Sequence, residues 1–317
     1  MSIPAPRRAH RDATWLVALG AALWGSDALL RLPLSQQYSA ATIVFVEHLI
    51  IVAVTLPWLL PAVRAFRAAG LRTQASVVVI GAGASALATV LFTQAFVDGG
   101  PITPVVLQKL QPLIAVLVAW LLLRERVTPR YPLFLVPALA GAWLLAFPDP
   151  LGISVEGAVA ALLAVGAASL WATGTVLGRL AGVEVGLRDL TVLRFAIGLP
   201  ASLVIALLLG APLTMPLRDV PVAGALALIP GLLAIGLYYR GLRTTPASRA
   251  TIAELAFPLT AALVGVLILD STLTGTQWLG MAVVAAAVTA LALHERLSDR
   301  PAVATPDAVE DAVAVPR

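Results

Sequence analysis

Residues 40–61 read AATIVFVEHLIIVAVTLPWLLP, a stretch of 22 residues in which only Glu47 and His48 carry ionisable side chains. About 20 apolar residues cover a hydrocarbon core roughly 30 Å thick as one helix, so this segment reads as a membrane span. Working outward, apolar runs of similar length recur along the chain, separated by clusters of Arg, Pro and Gly. The spans expected are 14–32, 40–61, 75–97, 103–123, 131–147, 157–178, 188–209, 220–239, 249–269 and 276–293. The fifth is the shortest and carries Pro132 and Pro137, which a membrane helix tolerates when its neighbours satisfy the freed carbonyls. Composition agrees: of 317 residues, 60% are hydrophobic and only 12% charged, and the mean hydropathy is +0.94. Soluble domains carry about 25% charged residues. Soluble enzymes are therefore excluded. So are nucleic-acid binders, because the net charge of +4 comes from arginines scattered in short segments and not from one basic stripe. The absence of cysteine removes disulfides, thiolate metal sites and thiol nucleophiles.

The arginines give an orientation. With the N-terminus inside, seventeen basic residues fall in cytoplasmic segments, Arg31 and Arg218 fall in outer loops, and Lys109 and Arg194 stay within spans, which accounts for all 21. An excess of Lys and Arg on short cytoplasmic loops is what membrane insertion produces. The expected fold is an all-α integral membrane protein of ten transmembrane helices, with both termini cytoplasmic.

The two halves align at a nearly constant offset. Gly20-Ala-Ala-Leu-Trp24 matches Ala167-Ala-Ser-Leu-Trp171, Glu47 matches Arg194, and Pro112 with Leu113 matches Pro258 with Leu259, at offsets of 147, 147 and 146. Five spans per half, an odd number, put the second half in the membrane upside down relative to the first. Inverted repeats of this kind build alternating-access carriers, with one site near the midplane. The organisation expected is an N-terminal segment 1–13, a first five-helix repeat 14–147, an outer linker 148–156, a second repeat 157–294 and a disordered cytoplasmic tail 295–317.

These residues resemble the EamA-type permeases of the drug/metabolite transporter superfamily. The resemblance covers roughly 14–294 and rests on Leu23-Trp24-Gly25-Ser26, Leu110-Gln111-Pro112-Leu113, Arg124-Glu125-Arg126, Gly141, Arg194 and Glu254-Leu-Ala-Phe-Pro-Leu259. It implies a transporter, commonly an exporter of amino acids, other small metabolites or toxic compounds. The central cavity would be lined by the first, third, fourth, sixth, eighth and ninth spans. Three features depart from the family pattern: Glu47-His48 in the second span, Asp270-Ser271 ending the ninth, and Lys109 within the fourth.

Ionisable groups at membrane depth are costly, by about 2.5–3.5 kcal/mol each on insertion scales, and face a cavity or a partner. Here they are Asp27, Glu47, His48, Lys109, Arg194 and Glu254. At about 1.5 Å per residue all six are expected near the midplane. Lys109, the only lysine, either meets an anionic group of a substrate, with Gln108, Gln111 and Gln94 donating hydrogen bonds, or pairs with Asp27 or Glu47. Asp27 is a candidate for a substrate amine. Glu47 and His48 point about 100° apart on a helix, so one of them is expected to face the cavity, where it could carry a coupling proton. Arg194 reads as a partner of Glu254 or a gate, and Glu254, four residues before Pro258, as a binding or gating residue. Trp24 and Trp171 occupy matched positions within spans and are expected on the cavity wall. Gly81, Gly83, Ser85 and Ala88 form a small-residue face that lets helices approach closely.

Look-alike motifs fail. Gly81-Ala-Gly83-Ala-Ser-Ala86 lacks the βαβ setting of a dinucleotide site, the sole lysine follows no glycine loop, and Ser298 stands where a zinc protease would need its second histidine. Nothing in the sequence supports Ser85 with His48 as a nucleophile and base. No catalytic residues, metal or cofactor are expected. The function expected is secondary active export of a small polar or zwitterionic metabolite, such as an amino acid or related carboxylate, across a bacterial cytoplasmic membrane. The alternatives are a broad exporter of amphipathic drugs or cations, suggested by three midplane acids against two bases, a passive channel, and a membrane scaffold. Partners expected are the substrate, the lipid bilayer and protons as a candidate coupling ion, with no nucleic acid, in a monomer or homodimer.

Overall fold

A chain this apolar must satisfy its backbone within each segment, and the computed structural model does so with helices alone: no strand occurs among the described residues. Those residues are 13–99, 102–124, 129–147, 149, 151, 155–242, 253, 256–270 and 272–298. The first rod is two helices, Thr14–Gly25 (α1) and Asp27–Ser35 (α2), joined at Ser26. Then come Ala40–Ala68 (α3), Leu71–Val79 (α4), Ala88–Gly99 (α5), Ile102–Leu107 (α6), Gln111–Leu123 (α7) and Pro132–Ala146 (α8). The second half contributes Val155–Val185 (α9), Leu187–Leu208 (α10), Val220–Leu226 (α11), Ala234–Leu242 (α12), Ala256–Leu267 (α13) and Gly275–Ser298 (α14). Among the described residues, six helices are long and apolar enough to cross a membrane: Thr14–Ser35, Ala40–Ala68, Leu71–Asp98, Gly157–Val185, Leu187–Leu208 and Val220–Gly241. Leu113–Leu122 and Pro132–Leu144 are shorter apolar helices. Pro132 sits in the first turn of α8, where its missing N–H is not needed, and Pro137 lies inside the helix.

Local chemistry sets the boundaries. Ser39 caps α3 by accepting from the Thr42 N–H at 3.2 Å, and the Thr42 hydroxyl donates to the Pro212 carbonyl at 2.7 Å. Gly186, at φ 81, turns the chain from α9 into α10, a conformation that favours glycine. Several helices outrun the expected spans. Arg64 and Arg67 lie in the last turns of α3 and Arg179 within α9, so these arginines extend helix ends where loops were expected. The largest correction concerns Arg31. The helix runs past residue 32 to Ser35, and Arg31 is buried within it instead of standing in an outer loop.

The repeat is visible in the packing. Two helices widen into π-helical turns, Ile80–Leu87 between α4 and α5 and Ala227–Leu233 between α11 and α12, and their starts lie 147 residues apart. The starts of α3 and α10 are also 147 apart. The main helix pairs are α3 with α10, α8 with α14, α5 with α9, α1 with α12, α7 with α9 and α1 with α13. Replacing each helix by its counterpart in the other half maps this set onto itself: the first two pairs return to themselves, the third exchanges with the fourth and the fifth with the sixth. A two-fold relation between the halves produces that exchange. Glycine permits the closest approaches. A Cβ added at Gly25 would lie 2.5 Å from the Phe257 carbonyl oxygen, and one at Gly141 would lie 2.8 Å from that of Gly280. Gly81 packs as tightly, with Ile197 2.6 Å from an added Cβ, whereas Gly83 has ordinary clearance.

Two polar latches join the halves at related places. The Tyr38 hydroxyl, just before α3, donates to the carboxylate of Asp219, just before α11. Glu184, near the end of α9, accepts from the Gly70 N–H and the Thr73 hydroxyl at the start of α4, both at 2.8 Å.

Candidate functional site

The densest polar chemistry among the described residues surrounds Arg31. Asp27 opens α2, where a carboxylate suits the positive end of the helix dipole, and Arg31 follows one turn later on the same face. Arg31 Nε and Nη2 grip Asp27 side-on at 2.6 and 2.9 Å. Nη1 and Nη2 reach both oxygens of Glu47 on α3 at 3.1 Å each. Nη1 also donates to Thr93 Oγ1 on α5 at 2.7 Å, and the guanidinium carbon lies 5.9 Å from the centre of the Phe92 ring. A guanidinium has five N–H donors, and here all five are used. Arg31 is 4% exposed, Glu47 6% and Thr93 not at all. Two carboxylates face one cation, so the buried cluster carries a formal charge of −1. One proton, or one cationic group of a ligand, brings it to neutrality. Arg31 also takes the place the sequence reading offered to Lys109 as partner of Asp27 and Glu47.

His48 points the other way. Its Nδ1 lies 2.8 Å from the Val44 carbonyl, which can only accept, so Nδ1 carries the proton and Nε2, 3.0 Å from Ser85 Oγ, is the acceptor. Ser85 and His48 are thus partners after all, across two helices. Both side chains are 2% exposed, and the imidazole lies against Gly198, where an added Cβ would come within 2.6 Å of the ring. Sealed in this way, the pair braces the π-helical turn and offers no room for a substrate at the hydroxyl.

Arg194, on α10, reaches the same turn. Its Nη2 donates to the Ala84 carbonyl at 3.0 Å, while Nε is buried with no hydrogen-bond partner. No carboxylate pairs with it among the described residues. Glu254, expected as its partner, lies outside the described residues, and of Lys109 only the backbone is described, in a 3-10 turn at Gln108–Leu110. That turn joins α6 to α7.

The glutamines have their own engagements. Gln94 donates to Asp98 at 3.2 Å and Gln111 to Thr175 at 3.2 Å, while Gln108 is half-buried. Trp24 meets Tyr238 of α12 at 4.9 Å in a tilted pair and Trp171 meets Phe92 of α5 edge-on at 5.1 Å, so the matched tryptophans make matched contacts between a first helix and the other half's third. Tyr238 is therefore packed against α1, whereas Tyr239 is 37% exposed. No group of three or more His, Cys, Asp or Glu able to hold a metal occurs among the described residues. Among the described residues Arg31 adds a buried base that the count of three midplane acids against two bases had left out. The signal for Arg31 was its place one turn after Asp27.

The chain matches the model of the EamA-like transporter family over residues 13–147 and again over 158–293. An uncharacterized transporter of Bacillus subtilis (strain 168), YwfM, is 32% identical over 173 residues, which cover 54% of this chain and 57% of that protein. The chain thus spans little more than half the length of that relative. One solved crystal structure, 21% identical, superposes with a TM-score of 0.61 over 90% of this chain and 98% of its own, and shares the fold.

Proposed function

The chain belongs to the EamA-like transporter family of the drug/metabolite transporter superfamily, and from that premise we propose that it exports a small polar or zwitterionic metabolite, an amino acid or related carboxylate, by proton-coupled alternating access. The reading takes ten spans in two inverted five-helix repeats, 14–147 and 157–294, both termini cytoplasmic, in a bacterial cytoplasmic membrane. The exchange of helix pairs between halves and the arginine-rich helix ends support it.

The observation that carries the mechanism is the Asp27–Arg31–Glu47 cluster and its charge of −1. A proton arriving on Glu47 neutralises the cluster and turns one acceptor oxygen into a donor, which Arg31 cannot accept. The contact between α2 and α3 then weakens, so protonated and deprotonated forms favour different packings of the two helices. A proton can drive a conformational equilibrium only through such a difference. The substrate amine competes for the same charge at Asp27. Lys109, Gln108, Gln111 and Gln94, with Trp24, Trp171 and Glu254, are the proposed remaining contacts, and His48 with Arg194 acts on the π-helical turn as a gate.

The test is counterflow of a panel of radiolabelled amino acids in liposomes under an imposed pH gradient. The gradient should drive uptake of at least one, and Glu47→Gln should remove that drive while leaving exchange intact. Equal gradient dependence in the variant would dispose of the coupling role. The cluster's negative charge also suits an amphipathic cation, so an organic-cation panel runs alongside. Flux without saturation would point to a channel, and no flux to a scaffold.

A further inference from the structure

We propose that Arg194 is the docking group for an anionic end of the cargo, a carboxylate. The inference rests on the carrier reading above for the ligand's route and adds where its negative charge is held.

Two arginines lie inside the helical body, and they are used in opposite ways. Arg31 spends all five N–H donors on Asp27, Glu47 and Thr93. Arg194 spends one, on the Ala84 carbonyl, and its Nε is buried without an acceptor. A buried donor left unpaired costs about 1–3 kcal/mol, more when charged, and native structures hold few of them. A largely buried cation with no counter-charge among the described residues is the more unfavourable case. The Phe195 ring, its neighbour in sequence, has its centre 5.9 Å from the guanidinium carbon. The buried Nε thus lacks an acceptor, on a rigid planar fork that spends one Nη2 N–H on the Ala84 carbonyl. Such a fork matches the two oxygens of a carboxylate.

The place suits a ligand. Arg194 is seven residues into α10, about 10 Å along the helix from its start, and its side chain is half-buried. An intramembrane cation faces the bundle interior or a water-filled cavity, not lipid. Its one hydrogen bond goes to a π-helical turn, a feature frequent at functional sites. Occupation of the fork would thus be felt by the turn that His48 also braces through Ser85. The two charged stations are complementary: the cluster on α2 and α3 carries −1 and Arg194 carries +1, and α3 packs directly on α10. A zwitterion presents both charges.

The test uses the full-length protein in detergent and the guanidine reagent phenylglyoxal, with adducts located by mass spectrometry. Arg194 should be modified and Arg31, fully bonded, should not. Acetate, succinate, L-glutamate and L-leucine are then tried as protectants, with 3-methylbutylamine as the carboxylate-free control. At least one carboxylate should slow modification of Arg194 about tenfold without slowing it at Arg64 or Arg67, and the amine should not. Thermal stabilisation by the same carboxylate should fall by at least about tenfold in apparent affinity in Arg194→Gln, the worth of one charge-assisted hydrogen bond. Arg194→Lys should recover part of it. No protection by any of the four carboxylates, or equal protection by the amine, overturns the proposal. Loss of gradient-driven uptake bears only on the coupling role of Glu47, so the two readings fail separately.

Discussion

Glu47 and Arg194 stand at the same place in the two halves, 147 residues apart on helices that pack against each other, yet one is saturated with partners and the other is nearly alone. The difference lies in what the preceding helix of each half supplies. In the first half that helix carries Asp27 and Arg31. At the matched positions of the second half stand Gly174 and Gly178. With no side chain at Gly174, the backbone comes so close that an added Cβ would lie 2.4 Å from Ala84 Cβ. Ala84 belongs to the π-helical turn, and its carbonyl becomes the one acceptor Arg194 finds. A symmetric backbone thus carries an asymmetric charge pattern, created by substitution at three matched positions.

The sharpest way to break this comparison is to remove each arginine in turn. Arg31→Met leaves two carboxylates buried side by side, and truncating one partner of a buried pair destabilises by about 3–5 kcal/mol. Arg194→Met leaves only one carbonyl without its donor and removes an unpaired charge, so its effect should stay within about 1 kcal/mol. Thermal unfolding in detergent measures both. Equal losses would mean that Arg194 has a structural counter-charge, and the contrast between the halves would collapse.

A smaller effect is expected where glycine makes room for the imidazole. Gly198→Ala places a methyl group 2.6 Å from the His48 ring, and overpacking of this kind costs about 1–3 kcal/mol. In a His48→Ala background the same substitution should be nearly silent. A double-mutant cycle reads the coupling, and additive losses would show that the ring and the glycine do not contact one another.

How much of this was legible beforehand follows from which interactions are local. Apolar runs and the offset of 147 are properties of the chain itself, so the helices and the repeat register could be read off. Arg31 was misplaced because it falls in the last turn of a span ending at 32 and was counted with the outer loop, while the carboxylate that completes its burial, Glu47, comes from another helix. The π-helical turns have no residue pattern of their own, and without them nothing connects Arg194 to Ala84. His48 and Ser85, 37 residues apart, meet only because the second rod passes the widened turn. Adjacent positions 47 and 48 were expected to point apart, and their partners differ, Arg31 for Glu47 and Ser85 for His48.

The smallest expected effect concerns the latches that join the halves. Tyr38 donates its hydroxyl to Asp219, and that hydrogen bond, aided by loss of hydration and by the carboxylate's negative charge, holds the phenol above its ordinary range. A raised value means that the folded protein keeps this proton more tightly than the unfolded chain does. The latch is therefore at full strength below the ordinary tyrosine value of about 10 and is lost as pH rises through the higher folded-state value. Wild-type melting temperature should fall on the alkaline side more steeply than that of Tyr38→Phe, which lacks the titrating group. Near neutral pH the variant should melt slightly lower, and the two curves should converge in alkali. Asp219→Asn should flatten the same limb, because a neutral amide no longer opposes ionisation of the phenol. Glu184, which makes the related latch with Gly70 and Thr73, has no phenol, so Glu184→Gln should leave the alkaline limb as steep as in the wild type. Parallel curves for wild type and Tyr38→Phe would mean that the hydroxyl is not held by Asp219 in solution.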